Sequence, residues 1–454
     1  MSQDLDRRAR ELLPELAVAR HDAAVFDLRR RRDEAVASVP DWEPLRERAA
    51  AIKRHTLDHL DVLLERFEER ARAAGAVVHW ARDAEAHNLL VARLLEERDI
   101  ARVVKSKSML TEECGLNAFL AKRGFDVVDT DLGERIVQLG DEPPSHIIVP
   151  AIHRTRGEIG ALFHRKMGSP AGESDPERLT RVARRDLRGR FLAAEAGITG
   201  VNFAVAETGS LVVVTNEGNA DLGMCLPPIH IACLGIEKLI PTMEDLPVFL
   251  RLLARSATGQ PITAYTSVVT GPRPGAELHV VLVDNGRSDL LASENHRSAL
   301  SCIRCGACLN TCPVYRRAGG HAYGTAVPGP IGAVLAPGLR DDAGARALPH
   351  ASSLCGSCTA VCPVGIDLHD QLLAWRREKP STGPLERLAL ETAAVVMGHP
   401  RLYRLLGRVA GRLWPALARR WPGNPASHWL DSRELPEHPG LSFSQRWIRE
   451  RDRG

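Results

Sequence analysis

The chain has 454 residues, of which 44% are hydrophobic, 26% charged and 4% aromatic. That balance excludes extensive disorder, and at about 150 residues per domain it leaves room for two or three domains. Sixty basic residues against 57 acidic give a formal net charge of +3, which does not mark a nucleic-acid binder. No apolar run reaches the ~18 residues of a spanning helix, and the charged N-terminus has no apolar core of signal-peptide length, so a cytoplasmic location is expected.

Residues 1–75 read as a helical region. Leu57, Leu60, Leu63, Leu64, Phe67 and Ala71 recur at three- and four-residue steps and make one apolar stripe. From there strand-like and helix-like segments alternate. Residues 77–80, 103–104 and 125–128 read as extended, 83–97 and 111–122 as helices, and 147–149 is a further apolar run ended by Pro150. Alternation of this kind predicts an α/β domain with a largely parallel sheet. Residues 203–215 read as a hairpin around Glu207-Thr208-Gly209-Ser210, and 268–269 and 279–283 supply late strands. The α/β region is expected to end near residue 290. The Gly/Pro-rich stretch 319–349 is expected to be neither regular helix nor strand, and to wrap a compact site. Helices are expected after Pro380 up to about residue 420.

Cysteine is the informative residue: seven of the ten lie between Cys302 and Cys362. In a reducing compartment such clusters bind metal or do redox chemistry more often than they form disulfides. The run Cys302-x2-Cys305-x2-Cys308-x3-Cys312-Pro313 is the bacterial ferredoxin spacing, in which the fourth thiolate serves the other of two clusters. Zinc is the alternative, but structural zinc takes paired C-x2-C elements and four ligands in all. The second run, Ser352-x2-Cys355-x2-Cys358-x3-Cys362-Pro363, fits the same template with serine at the first position. The crossover rule then assigns Cys302, Cys305, Cys308 and Cys362 to cluster one, and Cys312, Cys355 and Cys358 to cluster two. Cluster two is one cysteine short. It is read as a [4Fe–4S] cube completed by Ser352, a water or a partner's ligand, as a [3Fe–4S] cluster, or as a cube completed by a distant cysteine. The preferred reading is a [4Fe–4S] cluster with incomplete cysteine ligation. Cys114, Cys225 and Cys233 read as structural thiols, with Cys225 the best outside candidate for a missing ligand.

These motifs, behind a domain carrying AETGSLVVVTNEGN, SKSM at 106–109 and DLGERIVQL at 131–139, resemble the lactate utilization protein B family over nearly the full length. The resemblance implies a LUD domain similar to the sugar-isomerase and CoA-transferase superfamily. An α-helical two-cluster ferredoxin-like module and a helical tail follow it. It implies an iron–sulfur electron-transfer component of a three-protein system that oxidises L-lactate to pyruvate; the alternatives are that the α/β domain itself holds the lactate oxidation site, or that the chain carries electrons for a different substrate. The implied partners are a cysteine-rich subunit resembling heterodisulfide reductase and a small LUD-domain protein. The expected boundaries are 1–75, 76–290, 291–379 and 380–454.

In the α/β domain, Glu207 at the hairpin tip is a weak catalytic candidate. Lys105, Ser106, Lys107, Ser108 and residues 215–219 are candidates for holding a carboxylate. Turn chemistry explains the same residues without a ligand. No GxGxxG or Walker A motif is present, so direct hydride transfer to a nicotinamide is not supported. His321 reads as structural rather than as a cluster ligand. Residues 399–420 form an amphipathic basic helix, with Leu402, Leu405, Leu406, Val409 and Leu413 on one stripe. It reads as packed on its own domain, docked on a partner or lying on a membrane surface. Trp375, Trp414, Trp421, Trp429 and Trp447 near the C-terminus suit an interface.

Overall fold

The computed structural model describes residues 3–12, 15–380, 384–417, 430 and 440–451. The chain forms two compact units, 1–381 and 382–454.

Among the described residues, ten strands build two sheets in the first unit. They are β1 (Val77–Ala81), β2 (Arg102–Lys105), β3 (Asp126–Asp129), β4 (Ala196–Gly200), β5 (Phe203–Val205), β6 (Ser210–Thr215), β7 (Ile229–Gly235), β8 (Leu239–Ile240), β9 (Tyr265–Val269) and β10 (Glu277–Val283). The larger sheet has the order β1-β10-β7-β4-β2-β3, and all its pairings are parallel. Helices cover both faces, which is why its central strand β7 is buried at every residue. On one face Leu60, Leu63, Leu64, Phe67 and Ala71 pack against Val78, Ala232 and Val280, as their spacing predicts. On the other, Val91, Leu95, Leu116 and Leu120 meet Ile198, Ile231 and Val281. Each such buried leucine or phenylalanine contributes roughly 1.5–3 kcal/mol. The smaller sheet has the order β8-β5-β6-β9, and its β5–β6 pair is the antiparallel hairpin expected at 203–215.

The helix expected at 111–122 is two, Met109–Glu113 and Leu116–Lys122. Gly115 at φ +66° breaks it. The apolar run 147–149 is no strand. His146 Nδ1 accepts the N–H groups of Ile148 (3.0 Å) and Val149 (3.3 Å), which curls the segment, while His146 Nε2 bonds Asn310 Oδ1 at 2.9 Å. The Gly/Pro-rich stretch is more regular than expected. It holds a buried helix, Gly329–Leu339, with Pro330 in the first turn, where no N–H is needed. It does wrap the cysteine module: Ile331 lines a cavity with Cys302, Cys305, Cys308 and Cys362.

The N-terminal helices Glu15–Ala37 and Trp42–Asp58 clasp the same module. Arg32 Nη2 donates to the Val361 carbonyl at 3.1 Å, and Arg46 donates to the carbonyls of Cys362 (2.6 Å) and Thr359 (3.2 Å). The second unit contains the helices Pro384–Gly398, Pro400–Leu417 and Phe443–Arg451. Leu402, Leu405, Leu406, Val409 and Leu413 are all exposed. The Trp414 side chain, Trp421 and Trp429 lie outside the described residues. Trp375 belongs to the first unit, buried against His296, with its indole N–H on the Val334 carbonyl at 2.8 Å. It is therefore core rather than interface. Among the described residues no helix is long and apolar enough to cross a membrane.

Candidate iron–sulfur site

The two cysteine motifs fold alike, offset by 50 residues (302 to 352, 305 to 355, 308 to 358, 312 to 362). Each ends in a one-turn helix, Ala307–Thr311 and Ser357–Val361. Before each helix stands a glycine in the left-handed region, Gly306 at φ +78° and Gly356 at +77°. Only glycine takes that turn without strain. The residues ahead of Cys305 and Cys355 are left-handed too: Arg304 at φ +60° and Leu354 at +54°. Cys312 and Cys362 both leave in extended backbone with ψ 119°, and a proline follows each.

The seven thiols sort into two groups, each drawing on both motifs. Cys302, Cys305, Cys308 and Cys362 line one cavity with Ile331, Val364 and Leu368. Burial pushes the Cys308 thiol well above the ordinary range, and Cys302, Cys305 and Cys362 push it further. In the other group, burial and then Cys312 and Cys355 push Cys358 up to about 11. Thiols held this high stay protonated unless a cationic centre takes the thiolate.

Further features fit an iron–sulfur group. Backbone N–H groups point at the sulfurs: Arg304 donates to Cys302 Sγ and Ile366 to Cys362 Sγ, both at 3.4 Å. Backbone N–H groups of Tyr315 and Val314 likewise favour the Cys312 thiolate against its burial. Such donors tune cluster potentials. Tyr323 is buried beside Cys312, and its hydroxyl favours the Cys312 thiolate, as a donor facing a cluster sulfur would.

A buried charge network joins the first group to the α/β domain, and sequence reasoning missed it. Glu237, just after β7, pairs with Arg287 at 2.7 Å, and Arg304 Nη2 lies 3.8 Å away. Burial opposes its charge, yet Arg287, Lys238 and Arg304 hold its carboxyl down at about 2. Arg287 also reaches Glu113 at 3.0 Å. Lys53 donates to the carbonyls of Glu237 (2.6 Å) and Leu239 (3.2 Å). Burial pulls Lys53 down to about 7, while Glu237 and Cys302 favour its charge.

The other candidates are held by structural partners. Glu207 is exposed and its Oε2 accepts the Met243 N–H at 3.1 Å. Lys105, at the end of β2, is fully buried among Asp129 (2.8 Å), Glu112 (3.1 Å) and Glu134 (3.9 Å). Lys107 pairs with Asp131 at 2.9 Å, and Ser108 caps the helix Met109–Glu113. Thr215 bonds Asn219, Glu217 accepts from the Leu132 N–H, and Asn219 donates to Thr130. His321 bonds the Pro143 carbonyl at 2.8 Å, as a structural role requires. Cys114 and Cys233 are buried in the sheet core, and Cys225 is exposed at the end of the helix Asn219–Cys225. None of the three joins either thiol group.

Comparison with known proteins places these features in a family. Residues 64–290 match the LUD domain and 298–366 the 4Fe-4S dicluster domain. The uncharacterized electron transport protein YkgF of Escherichia coli (strain K12) is 44% identical over 91% of this chain and 89% of its own. Lactate utilization protein B of Geobacillus thermodenitrificans is 43% identical over 93% of this chain and 92% of its own. That of Shouchella clausii is 42% identical over 94% and 92%. A crystal structure of a DUF162 family protein from Deinococcus radiodurans covers 49% of this chain and 98% of its own, at 17% identity and a TM-score of 0.28.

Proposed function

The chain belongs to the lactate utilization protein B family, and from that premise we propose that it is the iron–sulfur electron-transfer component of a multi-protein system oxidising L-lactate to pyruvate. The observation that carries this reading is the sorting of the motif cysteines into Cys302, Cys305, Cys308 and Cys362 on one side and Cys312, Cys355 and Cys358 on the other. When bound, the two clusters supply single-electron couples for electrons derived from L-lactate. The chain's own residues hold them, shield them and set their potentials. Cys305, Cys308 and Cys362 are buried and Cys302 is half-buried, while the second group has Cys312 and Cys358 buried but Cys355 exposed, which favours the second group as the one a redox partner reaches. A two-electron oxidation of lactate needs a further centre. The family resemblance implies that the partners are a cysteine-rich subunit resembling heterodisulfide reductase and a small LUD-domain protein. In this reading residues 76–290 are a platform, 291–379 carry the clusters, and 380–454 dock a partner or a membrane surface from the cytoplasm.

A second reading places lactate on the α/β domain. A cleft of about 540 Å³ opens beside the carboxyl end of β3, lined by Thr130, Arg184, Arg188, Glu217 and Asn219. That is where open parallel sheets bind ligands, and the arginines suit a carboxylate.

Crossed ligation is tested by Cys362→Ala and Cys312→Ala. The first should destroy the cluster of Cys302, Cys305 and Cys308, and the second that of Cys355 and Cys358, as read by paramagnetic resonance. If each variant loses the cluster of its own motif, the assignment is wrong.

A further inference from the structure

We propose that Ser352 is the fourth protein ligand of the second cluster, its Oγ standing where Cys302 Sγ stands in the first. The inference rests on the two-cluster reading above and deepens it.

The two motifs share a backbone template, position by position. Arg304 and Leu354, at φ +60° and +54°, are left-handed non-glycine residues, a conformation that residues with a side chain rarely adopt. In the first motif that turn aims the Arg304 N–H at Cys302 Sγ, at 3.4 Å. In the second it aims the Leu354 N–H at Ser352 Oγ, at 3.1 Å. A serine hydroxyl accepting the N–H two residues on is a common turn without any metal. Here, however, the same turn presents a thiol in the sister motif, where that thiol joins three others around one cavity. Leu354 thus adopts a strained conformation that serves to place the atom at position 352. The loop is also clamped, because Arg376 donates to the carbonyls of Ser352 (2.8 Å) and Pro349 (3.0 Å).

No cysteine competes for the position. The three outside the motifs belong to the α/β domain, two buried in its core and one exposed on it. Neighbouring Ser353 is exposed. Ligation is a simple exchange: the Ser352 O–H bond breaks and its proton passes to solvent, the Fe–Oγ bond forms as a water leaves that iron, and no electron moves. An N–H donor on the ligating atom favours the anionic form, as it does for thiolates. Oxygen is a harder donor than thiolate, so the two clusters of one chain would differ in potential although their loops match.

The test uses the full chain, purified anaerobically, with iron analysis, Mössbauer and paramagnetic resonance spectra and redox titration. Wild type should hold about eight irons, with one iron site of the second cluster showing oxygen ligation. Ser352→Ala should lose one iron and convert the second cluster to a [3Fe–4S] signature, leaving the first unchanged. Ser352→Cys should keep every iron, lose the oxygen-ligated signature and shift only the second potential, upward. Ser353→Ala should match wild type. The proposal is overturned if Ser352→Ala keeps the wild-type spectra, which would assign the site to water, or if wild type itself holds a three-iron second cluster. A wild type with only one cluster, or with zinc, would instead overturn the two-cluster reading.

Discussion

Replacing Glu237 by glutamine removes the anion at the centre of the network that ties the first cysteine group to the α/β domain. Glu237 is buried 2.7 Å from Arg287, with Lys238 and Arg304 nearby. Its carboxyl is held at about 2 against an ordinary 4.5. A tenfold change in acidity is worth about 1.4 kcal/mol, so the charged form stabilises the fold by about 3 kcal/mol. Breaking a buried pair typically costs about 3–5 kcal/mol. Arg287 keeps Glu113 at 3.0 Å, which places the loss at the lower end. The sign follows from the depression. A carboxyl lowered in the folded state contributes its full stability above the unfolded value, and loses it as pH falls from about 4.5 towards 2. Anaerobic urea unfolding of wild type and Glu237→Gln, followed by cluster absorbance and tryptophan fluorescence, should therefore show a gap of about 3 kcal/mol near pH 6, narrowing towards pH 9 as Lys53 and Lys238, pulled down by burial to about 7 and about 8, lose the charges that Glu237 favours. A gap under about 1 kcal/mol near pH 6, or one that widens as pH rises, would refute the argument.

Two further outcomes concern the second unit and the hairpin. Truncation after Pro380 should leave both cluster spectra intact, because all seven motif cysteines precede it and lie in the first compact unit. It should weaken complex formation with the partner proteins, and undiminished binding in a pull-down or by sedimentation would remove the docking role of the tail. Gly209→Ala should lower the urea midpoint. Gly209 sits at φ +69°, and an added Cβ would meet the Ala71 nitrogen at 2.3 Å, so an unchanged midpoint would show that the hairpin tip does not pack as described.

The two cysteine motifs were legible in the sequence because their spacing is local: three positions within one turn and a fourth released by proline leave few other arrangements. The apolar stripe from Leu57 to Ala71 and the hairpin at 203–215 were legible for the same reason, each fitting one periodicity. Strands β4 and β7 were not. β7 is buried on both faces and shows no alternation. β4 contains Gly197, whose place is set by a distant contact: a Cβ there would meet the Gly223 carbonyl oxygen at 1.9 Å. Long-range contacts also hid the role of the N-terminal helices. Nothing near Arg32 or Arg46 says that they bond carbonyls more than 300 residues away, beside Cys362. The helix Gly329–Leu339 escaped because its glycines and prolines read as breakers, whereas close packing and a first-turn proline accommodate them. In the α/β domain the basic residues were legible, but not the carboxylates of Asp129, Glu112 and Asp131 that occupy them.

The central claim, that this chain carries electrons from L-lactate and does not oxidise it alone, is tested most directly by anaerobic titration with L-lactate while cluster reduction is followed by absorbance and paramagnetic resonance. The lone chain should show no reduction at a useful rate. Adding the cysteine-rich and small LUD-domain partner proteins should restore reduction of both clusters. Reduction of the lone chain by lactate would contradict the account and move the chemistry to the α/β domain, where Glu207→Gln and substitutions in the cleft beside Thr130 would be the first variants to measure.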